Sequence, residues 1–383
     1  VLKILKGYIF RLYPNKEQKI LIEKSFGCSR YIYNHFLEKT NGKKYINASN
    51  YIKELSILSN EKEWLKEVDG CLLRCTIFNL ENALNNHNKG NREYPKFKSK
   101  IKSKNSYKTN NIASVYKGKI YNSIELNLKE HTIKLPKLKE IKIRGYRNLD
   151  KIDGRILNAT IYKEVDKYYV SVCVEELIEI KEVPIRSVIG IDVGLKELLA
   201  TSDGTIIKNM KFIEKYERKL KGLNRWLSRC QKESKNREKV KKKIQEVYSK
   251  LKNARKYFLH KISKQLVEEN ELIVTEKLKI NELVQNKKLS KRIYDASWHE
   301  LIRQLTYKSK WAGKICYQIG TYYPSSQTCN RCGSINKNVK DLKIREWECP
   351  KCTNINNRDI NASINIMWEG IKANMKTISK RAL

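Results

Sequence analysis

Val188-Ile-Gly-Ile-Asp-Val-Gly-Leu-Lys-Glu-Leu-Leu-Ala-Thr-Ser-Asp-Gly204 is the stretch on which the fold turns. Residues 188–193 form a short apolar run broken by one carboxylate, Asp192. Residues 198–201 form a second run, and Asp203-Gly204 is a turn dipeptide before Thr205-Ile206-Ile207, so the stretch predicts a β-hairpin. An Asp inside an apolar strand is costly to bury unless it is paired or binds a cation. Gly190 and Gly194 flank it, and glycine in a strand marks a place where something approaches the backbone closely. Alone, Asp192 is either a satisfied core carboxylate or a metal ligand.

The chain around this stretch has 383 residues, room for roughly two to four domains. Its 80 Lys and Arg against 41 Asp and Glu leave a formal charge of +39. That excess points to a polyanionic partner, most simply nucleic acid. A compositional bias toward Lys would not explain the missing acids. No apolar run approaches the ~20 residues of a membrane span, and no signal peptide is visible. The expectation is a cytoplasmic protein without a membrane partner. Ten Cys in a long chain without a secretory signal suggest reduced thiols, with clustered ones binding metal.

Residues 3–12 alternate and predict a strand. Pro14-Asn15 ends it and Lys16-Glu17-Gln18 opens a helix, whose apolar face runs from Ile20, Leu21 and Phe26 through Tyr31, Tyr33 and Phe36. Residues 53–66 predict more helix. Leu73, Ile77, Leu80 and Leu84 fall at helical spacing and read as core; Arg74, Asn82 and Asn85 lie off that stripe. After Pro95, Lys96, Lys98, Lys100, Lys102 and Lys104 alternate with other residues. If extended, they share one face at about 6–7 Å spacing, close to the phosphate repeat of one strand. A solvated basic loop fits as well. Strand-like segments at 112–115, 124–128, 133–135 and 141–144 and a hairpin at 158–163 and 167–175 predict a small antiparallel barrel-like module, with 177–184 a linker.

Residues 208–261 carry 20 Lys or Arg against 5 acids. Leu220, Leu223 and Leu227 make one helical stripe, and Val240, Ile244, Val247, Leu251, Phe258 and Ile262 another, with Ser234-Lys235-Asn236 the break. This predicts an αα-hairpin with an apolar seam and a basic outer face. Arg225, Arg229, Lys241 and Lys242 are its candidates for nucleic-acid contact, against the alternative of a solvated face. Residues 272–276 predict a strand ending in Glu276, 298–311 a helix, and 361 onward a final helix.

Cys329-x-x-Cys332 and Cys349-x-x-Cys352, sixteen residues apart, have the spacing of a zinc ribbon: each pair makes a knuckle, and two knuckles complete a tetrahedral site. Iron is the alternative metal. A closed four-cysteine site is structural and would hold Lys337, Lys340, Lys343 and Arg345 on a rigid mini-domain. Cys28, Cys71, Cys75, Cys173, Cys230 and Cys316 are scattered and read as packing residues. Asp359 follows the ribbon at the mouth of the last helix, where the helix dipole favours an acid. Asp192, Glu276 and Asp359 nevertheless form a set in the order of a ribonuclease H-like fold. Hard oxygen ligands suit magnesium or manganese, and two such ions can hydrolyse a phosphodiester.

Here the sequence resembles a known family. Gly190-Ile-Asp-Val-Gly194, Ile273-Val-Thr-Glu276, Pro324-Ser-Ser-Gln-x-Cys329 and Arg358-Asp-x-Asn-Ala362 are similar to the RuvC and zinc-finger signatures of TnpB, the RNA-guided nucleases of insertion sequences, related to type V CRISPR effectors. Phe10-Arg-Leu-Tyr-Pro-Asn15, Gly27-Cys-x-Arg-Tyr-x-Tyr-Asn34 and Pro95-Lys-Phe-Lys98 extend the resemblance over nearly the whole chain. It implies a multidomain α+β protein: a wedge β-barrel (1–13 and 96–184) with an inserted helical recognition domain (14–95), and a ribonuclease H-like RuvC nuclease domain (185–320 and 355–383) interrupted by a zinc-ribbon target nucleic acid-binding domain (321–354). It implies a monomer that takes a guide RNA from the element's end and cleaves target double-stranded DNA beside a short flanking motif. Asp192, Glu276 and Asp359 map as catalytic and magnesium-binding, the four Cys as zinc ligands. Thr109 and Asn110 map where the wedge would approach the flanking motif, while Lys96, Lys98 and Lys100 of the alternating stretch are candidates for nucleic-acid contact. Two departures stand out. Asn356-Asn357 replaces the His-Asp of many members, and Thr353 stands where a glycine often follows the fourth Cys.

Overall fold

The computed structural model describes residues 2–42, 46–145 and 152–381. They form two compact units, Val1–Ile178 and Glu179–Leu383.

In the first unit, β1 (Leu2–Tyr13) is followed by α1 (Lys16–Lys39). The Asn15 side chain accepts the Gln18 amide while Gln18 accepts the Asn15 amide, a capping box that converts the Pro14-Asn15 break into a helix start. α2 (Ala48–Glu61) and α3 (Gly70–Asn88) are capped by Asn47 and Asp69. Leu73, Ile77, Leu80 and Leu84 are buried, as their spacing predicts. The chain continues through β2 (Ser106–Asn110), β3 (Ala113–Tyr116), β4 (Lys119–Asn122), β5 (Glu125–Asn127), β6 (Thr132–Leu135), β7 (Lys139–Arg144), β8 (Arg155–Glu164) and β9 (Lys167–Ile178). Seven strands make one antiparallel sheet in the order β2-β8-β9-β1-β7-β6-β5, and β3 pairs with β4 separately. The predicted barrel is therefore an open half-barrel with β2 and β5 as its edges. Asn111, just past β2, stands in for part of the missing ladder: its side chain donates to the Ile156 carbonyl and accepts from the Ile124 amide. Phe10 and Leu12 of β1 and Val170, Val172 and Val174 of β9 share one core with Phe26, Ile32 and Phe36 of α1 and Leu80 of α3.

Residues 89–105 form no strand, so the lysines from 96 to 104 do not share a face. The Asn34 side chain clamps the Lys98 backbone, accepting its amide at 2.7 Å and donating to its carbonyl at 2.8 Å. A turn closed by the Ser103 amide on the Ser99 carbonyl then breaks the alternation. Lys98 is folded inward, its ammonium 3.6 Å from the centre of the Tyr33 ring. Burial pulls its pKa down to about 8, because a desolvated ammonium disfavours its charge. Lys96, Lys100, Lys102 and Lys104 stay exposed.

The second unit is built on β10 (Val188–Val193), β11 (Glu197–Thr201), β12 (Ile206–Lys208), β13 (Leu272–Glu276) and β14 (Ile315–Ile319), in the order β12-β11-β10-β13-β14. β10–β11 and β11–β12 are antiparallel; β10–β13 and β13–β14 are parallel. Between β12 and β13 lies the predicted αα-hairpin, α4 (Phe212–Arg229) and α5 (Lys235–Glu269). Ser234 caps α5, and the Arg237 guanidinium donates to the Leu227 and Cys230 carbonyls at the end of α4. Short α6 (Ile280–Leu283) and α7 (Lys287–Ala296) precede α8 (Trp298–Trp311). After the cysteine-bearing segment with β15 (Glu346–Glu348) and β16 (Ile355–Asn357), α9 (Arg358–Arg381) ends the described chain. Residues of α5 and α8 pack with Ile189, Ile191 and Ile273 on one face of the sheet. Ile366 of α9 packs with Leu272 and Val274 on the other.

Candidate active site and metal centre

Strand alternation decides which side chains face α9. Ile189 and Ile191 point toward α5 and α8, so Gly190 and Asp192 point the other way. On β13, Val274 faces α9, and Glu276 two residues on lies on the same side. β10 and β13 run parallel with Gly190 opposite Val274 and Ile191 opposite Thr275, so Asp192 and Glu276 leave the paired region side by side. α9 presses hardest at Gly190. A Cβ there would stand 2.0 Å from the Ser363 carbonyl oxygen and 2.6 Å from the Met367 nitrogen. Asp359 is one helical turn before Ser363, which aims it toward the two strand carboxylates.

The electrostatics record this convergence. Withdrawal from water, then the negative fields of Glu276 and Asp359, push the Asp192 carboxyl well above the usual range, against Arg358 and the Val193 amide. Burial raises Glu276 as well, partly offset by a hydrogen bond from the Ser325 hydroxyl. Asp359 is held by Arg345, whose Nη1 lies 3.1 Å from Oδ1 and 3.2 Å from Oδ2. Asp192 thus feels two like charges in a half-buried site, although the oxygens of the three carboxylates do not all lie within 4.8 Å of one another; an all-carboxylate donor set fits magnesium or manganese.

Asn357 caps α9, its side-chain oxygen accepting the Asp359 and Ile360 amides. Asn356 is buried, accepting from the Asn354 side chain and donating to the Asn354 carbonyl. The departure from His-Asp thus leaves two asparagines that fix the backbone on which Asp359 sits.

Cys329, Cys332, Cys349 and Cys352 gather their sulfurs within 4.8 Å of one another, the only such cluster of three or more His, Cys, Asp or Glu among the described residues. Sγ separations of 3.7 Å (Cys329–Cys352) and 3.6 Å (Cys332–Cys349) match the ~3.8 Å edge of a tetrahedron with Zn–S near 2.3 Å. In the first knuckle the Cys329 carbonyl receives the Gly333 amide, and Gly333 has φ +74°. In the second, the Cys349 carbonyl receives the Thr353 amide, and Thr353 has φ +55°.

The nucleic-acid candidates are spread more widely. Arg225, Arg229, Lys241 and Lys242 are exposed on the αα-hairpin, beside a half-exposed Trp226 whose ring lies 4.7 Å from the Lys243 ammonium. Asn110 is exposed, but Thr109 is buried and donates its hydroxyl to Asp69, so its side chain is committed to the fold. Lys98 is committed likewise. Sequence reasoning misses Arg345 and Ser325 as members of the site. It groups Arg345 with the ribbon's bases, and it gives Ser325 of the Pro324-Ser-Ser-Gln signature no role.

Comparisons place this geometry among known proteins. Residues 171–287 match a family model described as a probable transposase, 298–366 one described as a Cas12f1-like TNB domain, and 4–43 one described as a helix-turn-helix domain. A Streptomyces pristinaespiralis protein, "Putative RNA-guided DNA endonuclease", is 30% identical over 380 residues, covering 97% of this chain and 90% of that protein. The chain belongs to the TnpB family. A second relative in the family, InsQ of Escherichia coli (strain K12), carries the same description and is 29% identical over 391 residues, covering 96% of this chain and 93% of its own. Among solved structures, the cryo-EM structure of a Cas12f1–sgRNA–target DNA complex shares the fold, with a TM-score of 0.59 at 14% identity, over 95% of this chain and 99% of that one. In this family member, residues 4–42 hold a strand and one helix, β1 and α1. Among the described residues no helix is long and apolar enough to cross a membrane.

Proposed function

We propose that this TnpB family member is an insertion-element endonuclease that takes a guide RNA and cuts a DNA duplex matching that guide. Asp192, Glu276 and Asp359 hold magnesium or manganese. The observation that carries the reading is the position of these carboxylates at the ends of β10 and β13 and the start of α9. There Asp192 is pushed well above its ordinary range by burial and by its two acidic neighbours. The sheet order β12-β11-β10-β13-β14 supports a ribonuclease H-like nuclease domain made of residues 185–320 and 355–383. The half-barrel supports a wedge of residues 1–13 and 96–184, with a helical recognition segment at 14–95.

Bound divalent cations supply Lewis acidity and an activated water for phosphodiester hydrolysis. The chain's own residues prepare for that. Asp192 and Glu276 offer carboxylates from one rigid parallel strand pair. Asn357 fixes the helix start that carries Asp359. The zinc ribbon of residues 321–354 presents exposed Lys337, Lys340 and Lys343 as phosphate contacts. Base pairing with the guide reads the target, while the protein holds backbone and shape.

The test is to purify the complex from cells expressing the chain with its flanking DNA, sequence the RNA that accompanies it, and assay a duplex matching that RNA. In magnesium the duplex is cut; in calcium it is bound and uncut. Asp192→Ala, Glu276→Ala and Asp359→Ala each abolish cutting and leave binding near wild type, without additive effects. A complex that binds its matched duplex and never cuts it in magnesium or manganese would make the protein a guided DNA-binding repressor.

A further inference from the structure

Ser325 lies at the start of the ribbon segment, between β14 and Cys329, and it is 6% exposed. Its hydroxyl donates to Oε1 of Glu276, the end residue of β13. The backbone around it is held from the other side by α9. Asn365 donates its side-chain amide to the Ser325 carbonyl at 2.8 Å and to the Thr328 carbonyl at 2.6 Å. Asn361, one turn earlier on the same helix face, donates to the Thr328 carbonyl at 2.8 Å and accepts the Asn330 amide at 2.9 Å. Asn361 and Asn365 are both buried. The Pro324 carbonyl closes the turn from within, accepting the Gln327 and Thr328 amides and the Thr328 hydroxyl. The result is a strut: α9 grips residues 325–330 through two asparagines, and the Ser325 hydroxyl grips Glu276.

We propose that Ser325 is a positioning residue for Glu276, fixing one carboxylate oxygen so that the other is the oxygen offered to metal. The inference rests on the metal-binding role given to Glu276 above. A glutamate at a strand end has three side-chain torsions, and a free carboxylate would sample several orientations. A hydrogen bond from a buried serine whose own carbonyl is tied down removes most of that freedom. Groups that orient ligands in this way are worth about 10- to 100-fold in metal affinity. The same bond explains the Pro324-Ser-Ser-Gln signature ahead of Cys329, whose residues make no part of the cysteine cluster. It also gives Asn361 of Arg358-Asp-x-Asn-Ala362 a task separate from that of Asp359, two residues before it.

The experiment uses full-length, zinc-loaded protein and manganese alone as the probe, with affinity read by calorimetry and by electron paramagnetic resonance of free manganese. Ser325→Ala is expected to weaken manganese binding at least tenfold, with an unchanged melting temperature in metal-free buffer. Ser325→Thr, which keeps the hydroxyl, is expected to restore it. Ser325→Cys, which keeps the volume and only a weak donor, is expected to follow Ala; it serves as the reading if Ala fails to fold. In the guided complex, Ser325→Ala should raise the magnesium concentration for half-maximal cutting while the rate at saturating magnesium stays within a fewfold of wild type. Wild-type manganese affinity in both Ala and Cys variants would overturn the proposal. Asp192→Ala is the control. If it too leaves manganese binding intact, the metal site itself is wrong; if it abolishes binding while Ser325→Ala does not, only the positioning role falls.

Discussion

Arg345, the residue before β15 of the four-cysteine ribbon, reaches both carboxylate oxygens of Asp359 at the first turn of α9, at 3.1 and 3.2 Å. The ribbon and the candidate metal site are therefore joined by charge as well as by chain. In this arrangement a guanidinium stands where a cation would draw on the same oxygens, so the two compete for one carboxylate. Arg345→Ala should tighten manganese binding. The Arg345 side chain is 41% exposed and its charge screened, so the gain is at most about 1 kcal/mol, roughly fivefold. Calorimetry on the variant checks this, and weaker binding would show that Arg345 supports the metal site instead of competing for it.

The raised carboxyl of Asp192 gives the metal-free protein a definite pH dependence. Its folded pKa lies above its unfolded value of about 3.9. Between the two values the folded state binds more protons, so stability falls as pH rises through that window. At neutral pH Asp192 opposes folding unless a cation is present. Asp192→Asn should therefore raise the melting temperature of metal-free protein at pH 7, have little effect near pH 3, and lose the stabilisation that manganese gives the wild type. Thermal melts across pH with and without manganese measure all three.

Thr353 offers a cleaner test of local strain. Its φ of +55° places a β-branched residue in the left-handed region, where the equivalent position of the other knuckle has Gly333. That conformation costs a non-glycine residue about 1–2 kcal/mol. The Thr353 hydroxyl donates to the adjacent Cys352 carbonyl, an exposed bond that water can replace. Thr353→Gly should stabilise the ribbon by about 1 kcal/mol, seen as slower zinc loss to a competing chelator.

Much of this is legible in residue order, and the gaps have physical causes. The apolar run around Asp192 and the Leu and Val stripes of the αα-hairpin name their elements because burial selects those patterns. Gly190 is readable as a close-approach site, and α9 is what approaches. Of the two readings of the five alternating lysines, the extended one fails because period two has meaning only in a strand. The clamp of Asn34 on Lys98 and the turn at Ser99 are long-range and local hydrogen bonds that composition does not reveal. The open edges of the half-barrel are hidden for a similar reason, since strand count does not say whether the first and last strands pair. Arg345 and Ser325 act through partners 14 and 49 residues away.

The basic αα-hairpin is expected to bind nucleic acid with its outer face. Reversing Arg225, Arg229, Lys241 and Lys242 to Glu should weaken binding of a single-stranded RNA. It should also flatten the log–log salt dependence, by about 0.7 for each phosphate no longer neutralised. Lys98→Met should leave that slope unchanged, because the Lys98 ammonium already faces the Tyr33 ring. Filter binding at several salt concentrations separates the two. An unchanged slope in the fourfold variant would mean the hairpin is only a solvated face.

Gly190→Ala tests whether the packing of α9 sets the site. The missing Cβ is what lets α9 cross β10 with the Ser363 carbonyl almost on the strand. Both the Ser363 oxygen and the Met367 nitrogen are backbone, so no side chain can swing aside, and α9 itself must move. The companion contact limits how: Gly370, two turns further on, is packed against Val274, where a Cβ would meet Val274 at 2.4 Å. With its middle pinned there, α9 yields most readily by tilting its first turns away from the sheet, and Asp359 leads that end. Such overpacking costs up to about 3 kcal/mol. The displaced carboxylate should lower manganese affinity more than Ser325→Ala does, because a ligand is removed from the site and not merely loosened. It should also lessen the rise in the Asp192 pKa, since one of the two acidic fields on it recedes. The measurements are melting temperature, manganese calorimetry and the pH dependence of stability on the same protein. A variant that loses stability yet binds manganese as wild type would mean that α9 reaches Asp192 without help from the glycine crossing.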